Sequence, residues 1–398
     1  MKLDPAIWLD RPGIPRLLAA LDAEEGGARF VGGAVRDALL GLPAEDIDLA
    51  TPHQPDDVVR RLEAAGIKAV PTGIAHGTVT AVASGTVVEV TTLRCDVSTD
   101  GRRATVAFTG DWAEDAARRD FTINALYADP ASGEIFDYVG GEADIAARRV
   151  RFIGLPLERI AEDHLRILRF FRFHARFGEG DPDAGALAAC AERTNDLMAL
   201  SRERIADEML KLLALPNPAP TIALMQRHAI LAPVLPEIID EAATAIVALT
   251  AAEDAAGISP DPLRRLAALL PRDPALAMRI AARLKLSKKA RKRLGDAADP
   301  DLSAGPRPLA YRIGPASALD RLLLAGRAED AASIADWPVP RLPISGGDLI
   351  ARGVPQGPEV ARVLHTIEAN WVTAGFPDGP TFASLVDRNL AAVDQHGD

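Results

Sequence analysis

Residues 28–50 read Ala-Arg-Phe-Val-Gly-Gly-Ala-Val-Arg-Asp-Ala-Leu-Leu-Gly-Leu-Pro-Ala-Glu-Asp-Ile-Asp-Leu-Ala. A short apolar strand runs into Gly32-Gly33, a helix follows from about Ala34, and a second strand presents Asp46 and Asp48. Side chains alternate along a strand, so the two carboxylates project together, about 6 to 7 Å apart along the backbone, while Ile47 and Leu49 point to the core. Paired carboxylates so placed suit a hard divalent cation such as Mg²⁺, which takes oxygen ligands and keeps positions open for substrate phosphates. A Gly-Gly pair alone is usually a turn, and Asp-x-Asp alone is common in solvated loops. Together they say more. Two glycines let the backbone approach a phosphate, and the helix that follows offers free N–H donors.

Working outward, the 398 residues exceed the usual size of one domain, and 48% hydrophobic with 25% charged residues is a soluble globular composition. The N-terminal residues lack the apolar core of a signal peptide, and the longest uncharged run, residues 69–88, is broken by Pro71, Gly73, Gly77 and Gly85. No membrane association is expected. Cys95 and Cys190 form neither a disulfide framework nor a zinc spacing, which fits a reducing cytoplasm. A net charge of −11 argues against unspecific coating of nucleic acid, yet screening lets an acidic protein confine basic residues to one groove.

Residues 1–137 mix helical patterns with β-branched strands at 29–31, 47–50, 67–70, 77–83, 86–92, 104–108 and 134–136. From about residue 140 strand signals nearly vanish, as in Ile205-Ala-Asp-Glu-Met-Leu-Lys-Leu-Leu213. The fold class is α+β, a mixed-sheet domain followed by an all-helical region. Proline-rich breaks at 214–220, 299–308 and 337–343 mark helical junctions, and there is no internal repeat. Between Leu93 and Trp112 a polar stretch reads either as a mobile loop or as a hairpin excursion.

Gly32, Gly33, Arg36, Asp37, Asp46 and Asp48 fit, position by position, the Gly-Gly-x-x-Arg-Asp and Asp-x-Asp signature of the class II, bacterial-type, CCA tRNA nucleotidyltransferase and poly(A) polymerase family, which this stretch resembles. Three further motifs extend the resemblance over residues 28–213. Glu89, Thr91 and Arg94 match Glu-x-Thr-x-x-Arg; alone, Glu89 is a solvent-facing strand residue, and beside Asp46 and Asp48 it makes a third metal ligand. Arg118-Arg119-Asp120-Phe121-Thr122-Ile123-Asn124-Ala125 resembles the family's Arg-Arg-Asp-Phe-Thr-x-Asn-Ala. Adjacent arginines are usually a solvated helix end; the resemblance turns Arg118 and Arg119 toward nucleotide phosphates and gives Asp120 and Asn124 its sugar.

Glu162-Asp163-His164-Leu165-Arg166-Ile167-Leu168-Arg169, continuing to Phe177, reads as one helix with Asp163 and Arg166 on a shared face. Such a pair is most often a surface ion pair. Its likeness to the family's Glu-Asp-x-x-Arg-x-x-Arg motif implies base reading: a carboxylate accepts from the exocyclic amine of C or A and a guanidinium donates to the adjacent ring nitrogen, which U and G do not offer. Arg204, Glu208 and Lys211 resemble the supporting helix that follows.

Farther on, Lys288, Lys289, Arg291 and Lys292 lie in a run of seven basic side chains from Arg283 to Arg293. That is a solvated helix by default, and an RNA-backbone contact beside a nucleotidyltransferase site. The resemblance implies a polymerase-β-like catalytic head (1–137), a base-recognition neck (138–215), a helical body (216–300) and a helical tail meeting tRNA (301–398). The implied activity is Mg²⁺-dependent addition of C, C and A to tRNA 3′ ends from CTP and ATP, in the cytoplasm and without a protein partner. The flexible loop that the family uses to switch to the final nucleotide would be the stretch after Leu93. A poly(A) polymerase of the same family shares the catalytic residues, and a silent RNA-binding protein on the same scaffold would lack a carboxylate.

Overall fold

The computed structural model describes residues 2–43, 46–99 and 104–394. The chain divides into two compact units, Met1–Pro236 and Glu237–Asp398. No helix among the described residues is long and apolar enough to cross a membrane.

The strands of the first unit are β1 (Arg29–Val31), β2 (Ile47–Thr51), β3 (Lys68–Gly73), β4 (Thr78–Ala83), β5 (Thr86–Thr92), β6 (Arg94–Thr99), β7 (Ala104–Phe108), β8 (Leu126–Ala128) and β9 (Ile135–Asp137). Seven of them form a mixed sheet in the order β3-β4-β5-β2-β1-β8-β9. In it β2 and β5 pair in parallel and every other neighbouring pair is antiparallel. The period of two sorts β5 as expected: Val88, Val90 and Thr92 are buried, while Val87 and Glu89 are exposed. Under the sheet, Trp8 stacks on Phe30 with ring centroids 4.2 Å apart, and both are fully buried.

Two strands go beyond what the sequence pattern indicates. β8 has only three residues, all buried, so no polar alternation marks it. β6 pairs antiparallel with β7, which makes the described part of the polar stretch a two-stranded hairpin. Residues 100–103, within the expected loop, lie outside the described residues.

The expected helix from Glu162 to Phe177 is instead two helices, Pro156–Glu162 and Arg166–Phe177. Asp163 is extended, with φ −151° and ψ 106°, and its carboxylate accepts from Leu165 N at 3.1 Å. An aspartate that bonds the backbone two residues on competes with helix continuation, and the chain turns there. Asp46 likewise stands one residue before β2 rather than within it.

Among its described residues the second unit is all helical. Asp261, Asp273 and Ser287 each cap a helix through a side-chain oxygen, and Pro262 and Pro274 open two of these helices, where no intrahelical partner exists for an N–H. Its interior holds an ionic cluster: Arg264 donates to Asp320 at 2.9 Å and to Glu253 at 2.7 Å, and Arg265, fully buried, donates to Glu253 at 2.9 Å. A separate apolar cluster gathers Leu349, Val363, Ile367, Trp371, Phe382 and Leu385.

Candidate active site

The site begins at the junction of β1, β2 and β5. Gly32 ends β1 with φ +67°, a left-handed conformation that a side chain disfavours, and the Gly33–Leu39 helix starts from it. A Cβ on Gly32 would also stand 3.5 Å from the Arg119 guanidinium. On β2, Asp48 is the direct partner of Glu89 across the parallel pair. Burial, then the Glu89 and Asp46 carboxylates, push Asp48 up to about 6 against the counter-pull of Arg119 and Arg36. Asp48 therefore stands in the field of two neighbouring carboxylates. No three groups among the described residues are drawn together closely enough to hold a metal ion as they stand. The donor set is nonetheless all oxygen, and an excess of negative charge in half-buried surroundings is what a hard divalent cation offsets.

Arg36 and Asp37 are both buried. The Arg36 guanidinium donates to Asp37 at 2.8 Å and to Asn124 at 2.5 Å, and lies 4.1 Å from the centre of the Phe177 ring. Burial lowers its pKa, with Asp37 opposing. Asn124 in turn donates to Asp120 at 3.1 Å, and Asp120 accepts twice from Arg169, at 2.7 Å from Nε and also from a terminal nitrogen. Burial would raise Asp120, but Arg169 and Asn124 outweigh it and hold the carboxyl below its ordinary range. A continuous chain of bonds thus runs from Asp37 through Arg36, Asn124 and Asp120 to Arg169. The Asp120 and Asn124 groups that the resemblance gives to the sugar are largely committed to this chain.

Arg118 and Arg119 converge on Asp115, a residue that none of the sequence motifs includes. Its carboxylate is 1% exposed and accepts from Arg118 Nε at 3.0 Å, Arg119 at 2.9 Å and the Tyr127 hydroxyl at 2.7 Å. Burial alone would raise it, but Arg119, Arg118 and Tyr127 hold it down at about 2. The sequence does carry a signal for it as spacing, since Arg118 and Arg119 lie at i+3 and i+4 from Asp115.

From the helices that follow the sheet, Asp163 accepts from Arg204 at 2.7 Å. Arg166 donates to the Arg159 carbonyl at 2.9 Å, to the Arg118 carbonyl at 3.2 Å and to Glu162. Asp163 and Arg166 are each fixed by separate partners. Buried Glu208 accepts from Arg172 at 2.6 Å and stands 4.0 Å from Arg169. Lys211 is paired with Asp207 on the surface instead.

These groups line an open cavity of about 590 Å³, with Gly32, Gly33, Asp46, Asp48, Asp163, Arg166 and Arg204 among its walls. Arg118, Arg119 and Arg169 face it as well. A second cavity of about 630 Å³ shares Gly33, Arg36, Asp46 and Asp48 with the first and is otherwise bounded by Asp37, Leu42, Arg176 and Asn217. Asp46 and Asp48 stand on the boundary common to both.

Lys288, Lys289, Arg291 and Lys292 lie in the second unit on the Lys288–Ala298 helix. Lys288, Lys289 and Lys292 are exposed, and Lys292 pairs with Asp296 at 2.7 Å. Of the other basic residues in that run, Arg283 is bound by Glu237 and Arg293 by Asp320 and Asp261.

Comparison with known proteins bears on the family. Residues 28–151 match the family described as "Poly A polymerase head domain", and residues 183–241 the one described as "Probable RNA and SrmB- binding site of polymerase A". The mitochondrial CCA tRNA nucleotidyltransferase 1 of Mus musculus is 35% identical over 383 residues, covering 92% of this chain and 87% of its own. The CCA-adding enzyme of Lacticaseibacillus paracasei is 41% identical over 215 residues, covering 54% of this chain and 52% of its own. Among solved structures, that of the Bacillus stearothermophilus CCA-adding enzyme in complex with CTP superposes with a TM-score of 0.74 at 28% identity, over 97% of this chain and 100% of the other. The likeness to the mouse enzyme extends well past the head, through the helical second unit, so it separates the chain from proteins that share the head alone. The chain belongs to the class II CCA tRNA nucleotidyltransferase family.

Proposed function

We propose that this protein adds C, C and A to tRNA 3′ ends from CTP and ATP without a nucleic-acid template, releasing pyrophosphate. One observation carries the reading: Asp46 and Asp48 stand where two cavities meet, one of them faced by Arg118, Arg119 and Arg169. A nucleotidyl transfer needs that division, with a triphosphate on one side of the metal ligands and an attacking 3′-hydroxyl on the other. Guanidinium groups stay charged and bind phosphate oxygens in pairs, so the three arginines hold the triphosphate in the first cavity. The RNA end enters the second.

In the first cavity, Asp163 and Arg166 read the Watson–Crick edge. Asp163, fixed by Arg204 and the Leu165 N–H, offers acceptors only, which suits the amine of C or A and rejects the carbonyl of U or G. Arg166, tied to Glu162 and two carbonyls, donates to the ring nitrogen beside that amine. Asp46, Asp48 and Glu89 would hold Mg²⁺, which when bound would supply Lewis-acid stabilisation of charge on the α-phosphate and the leaving pyrophosphate. The head, neck, body and tail take residues 1–137, 138–215, 216–300 and 301–398, and the tail meets tRNA. The enzyme works in the cytoplasm.

The test is incubation with tRNAs ending before the first C, after it and after C-C, with each nucleoside triphosphate supplied singly and together. C is expected on the first two ends and a single A on the third. Long oligo(A) made from ATP on any end, or no addition to any of the three, overturns the reading. Addition confined to C alone or A alone identifies a partial enzyme.

A further inference from the structure

Asp115 does no chemistry in the function proposed above, yet it is the most completely engaged carboxylate near the site. It sits on the short Trp112–Ala117 helix, capped by Asp111, whose side chain accepts from Ala113 N at 2.8 Å. One oxygen takes Arg118 Nε at 3.0 Å and the Arg94 backbone N–H at 3.3 Å. The other takes Arg119 Nε at 3.2 Å, Arg119 Nη2 at 2.9 Å and the Tyr127 hydroxyl at 2.7 Å. Tyr127 lies on β8, fully buried, so its hydroxyl is a fixed post. The bonds to Asp115 use the rear edge of each guanidinium. Arg119 Nη1 is left toward the glycine turn, where it lies 3.5 Å from the place a Gly32 Cβ would occupy. Arg166 reaches only the Arg118 backbone carbonyl, at 3.2 Å, a contact separate from the side-chain bond between Arg118 and Asp115.

We infer that Asp115, held by the Tyr127 hydroxyl, is a positioning residue that aims Arg118 and Arg119 at the triphosphate. The inference rests on the proposed reading of those two arginines as triphosphate contacts. A free arginine side chain loses rotamer entropy each time it binds phosphate; one already anchored through its rear edge loses much less. Asp115 thus acts on binding of the phosphates and leaves base choice alone.

The experiment compares Asp115→Asn, Tyr127→Phe and Arg119→Ala in C addition to a tRNA lacking its terminal C-C-A, with inorganic pyrophosphate as inhibitor and all four nucleotides offered separately. Asp115→Asn is expected to raise KM for CTP and the pyrophosphate inhibition constant together, by about tenfold, with a smaller fall in kcat and parental rejection of UTP and GTP. Tyr127→Phe moves both constants the same way by roughly two- to threefold. An Asp115→Asn protein that melts like the parent and keeps its KM and pyrophosphate inhibition overturns the inference. So does one whose rejection of UTP and GTP collapses, which marks general distortion of the cavity. If Asp115→Asn does not fold, Tyr127→Phe decides: unchanged pyrophosphate inhibition in that folded variant also overturns it. Arg119→Ala separates the two levels of the argument. Parental pyrophosphate inhibition in Arg119→Ala means that the arginine does not touch phosphate, and the underlying reading fails rather than the strut alone.

Discussion

Asp48 is a half-buried carboxylate facing another carboxylate, an arrangement that stability alone disfavours and that binding of a cation offsets. Asp48→Asn should keep the fold and abolish transfer, because an amide of equal size cannot supply the anionic ligand. Single-turnover incorporation from CTP checks this, and near-parental turnover removes Asp48 from the metal site. Asp115 is the opposite case, a buried carboxylate whose partners overcome the penalty of burial and hold it at about 2 instead of 3.8. Its folded pKa lies below its unfolded one, so its stabilisation is complete above about pH 4 and is lost as pH falls toward 2. The size is about 2 kcal/mol. Denaturant melts of the parent and Asp115→Asn should differ at pH 7 and converge as the pH is lowered through that window; a gap independent of pH means that the carboxylate charge contributes nothing. The two residues also mark what a sequence can reveal. Asp48 is legible because its strand, its glycine turn and its partner Asp46 are contiguous. Asp115 is legible only in part, through its spacing to Arg118 and Arg119, because Tyr127 and Arg94 arrive from other strands.

At the scale of elements, the break between the Pro156–Glu162 and Arg166–Phe177 helices matters most. A continuous helix would set Asp163 and Arg166 one above the other as an ordinary ion pair. The turn at Asp163 gives each its own partners, Arg204 for one and Glu162 with two carbonyls for the other, and directs both toward the cavity. Asp163→Ala and Arg166→Ala should therefore damage discrimination among bases more than triphosphate binding. Incorporation of all four nucleotides, with pyrophosphate inhibition as the control, is the measurement. Unchanged rejection of UTP and GTP by both variants would count decisively against the pair. The helical periodicity of residues 162–177 conceals the break, since an aspartate that redirects the chain looks like any polar residue on a helix face. The polar composition of β6 leaves loop and hairpin equally open, and the three buried residues of β8 carry no alternation to read.

Across the whole molecule the net charge is −11, and part of the basic charge is already paired with carboxylates of the chain itself. In the second unit Arg264, Arg265, Arg283 and Arg293 are paired with Glu253, Asp320, Glu237 and Asp261. Sequence composition cannot separate these from cations available to a partner, because the acidic groups that bind Arg264 alone lie 11 and 56 residues away. What is left at the surface of that run is concentrated on the Lys288–Ala298 helix, where Lys288 and Lys289 are exposed and Lys292 is paired at the surface with Asp296. Exposed pairs of that kind contribute little to stability, so neutralising Lys288, Lys289, Arg291 and Lys292 together should leave the melting behaviour nearly unchanged. The same change should weaken tRNA binding and flatten its dependence on salt, by roughly one unit of slope in log affinity against log salt for each phosphate that the variant no longer neutralises. Titrating tRNA into parent and variant over a range of salt concentrations reads both effects. Lines of equal slope and height assign this helix to solvent and place the RNA-binding surface elsewhere on the molecule.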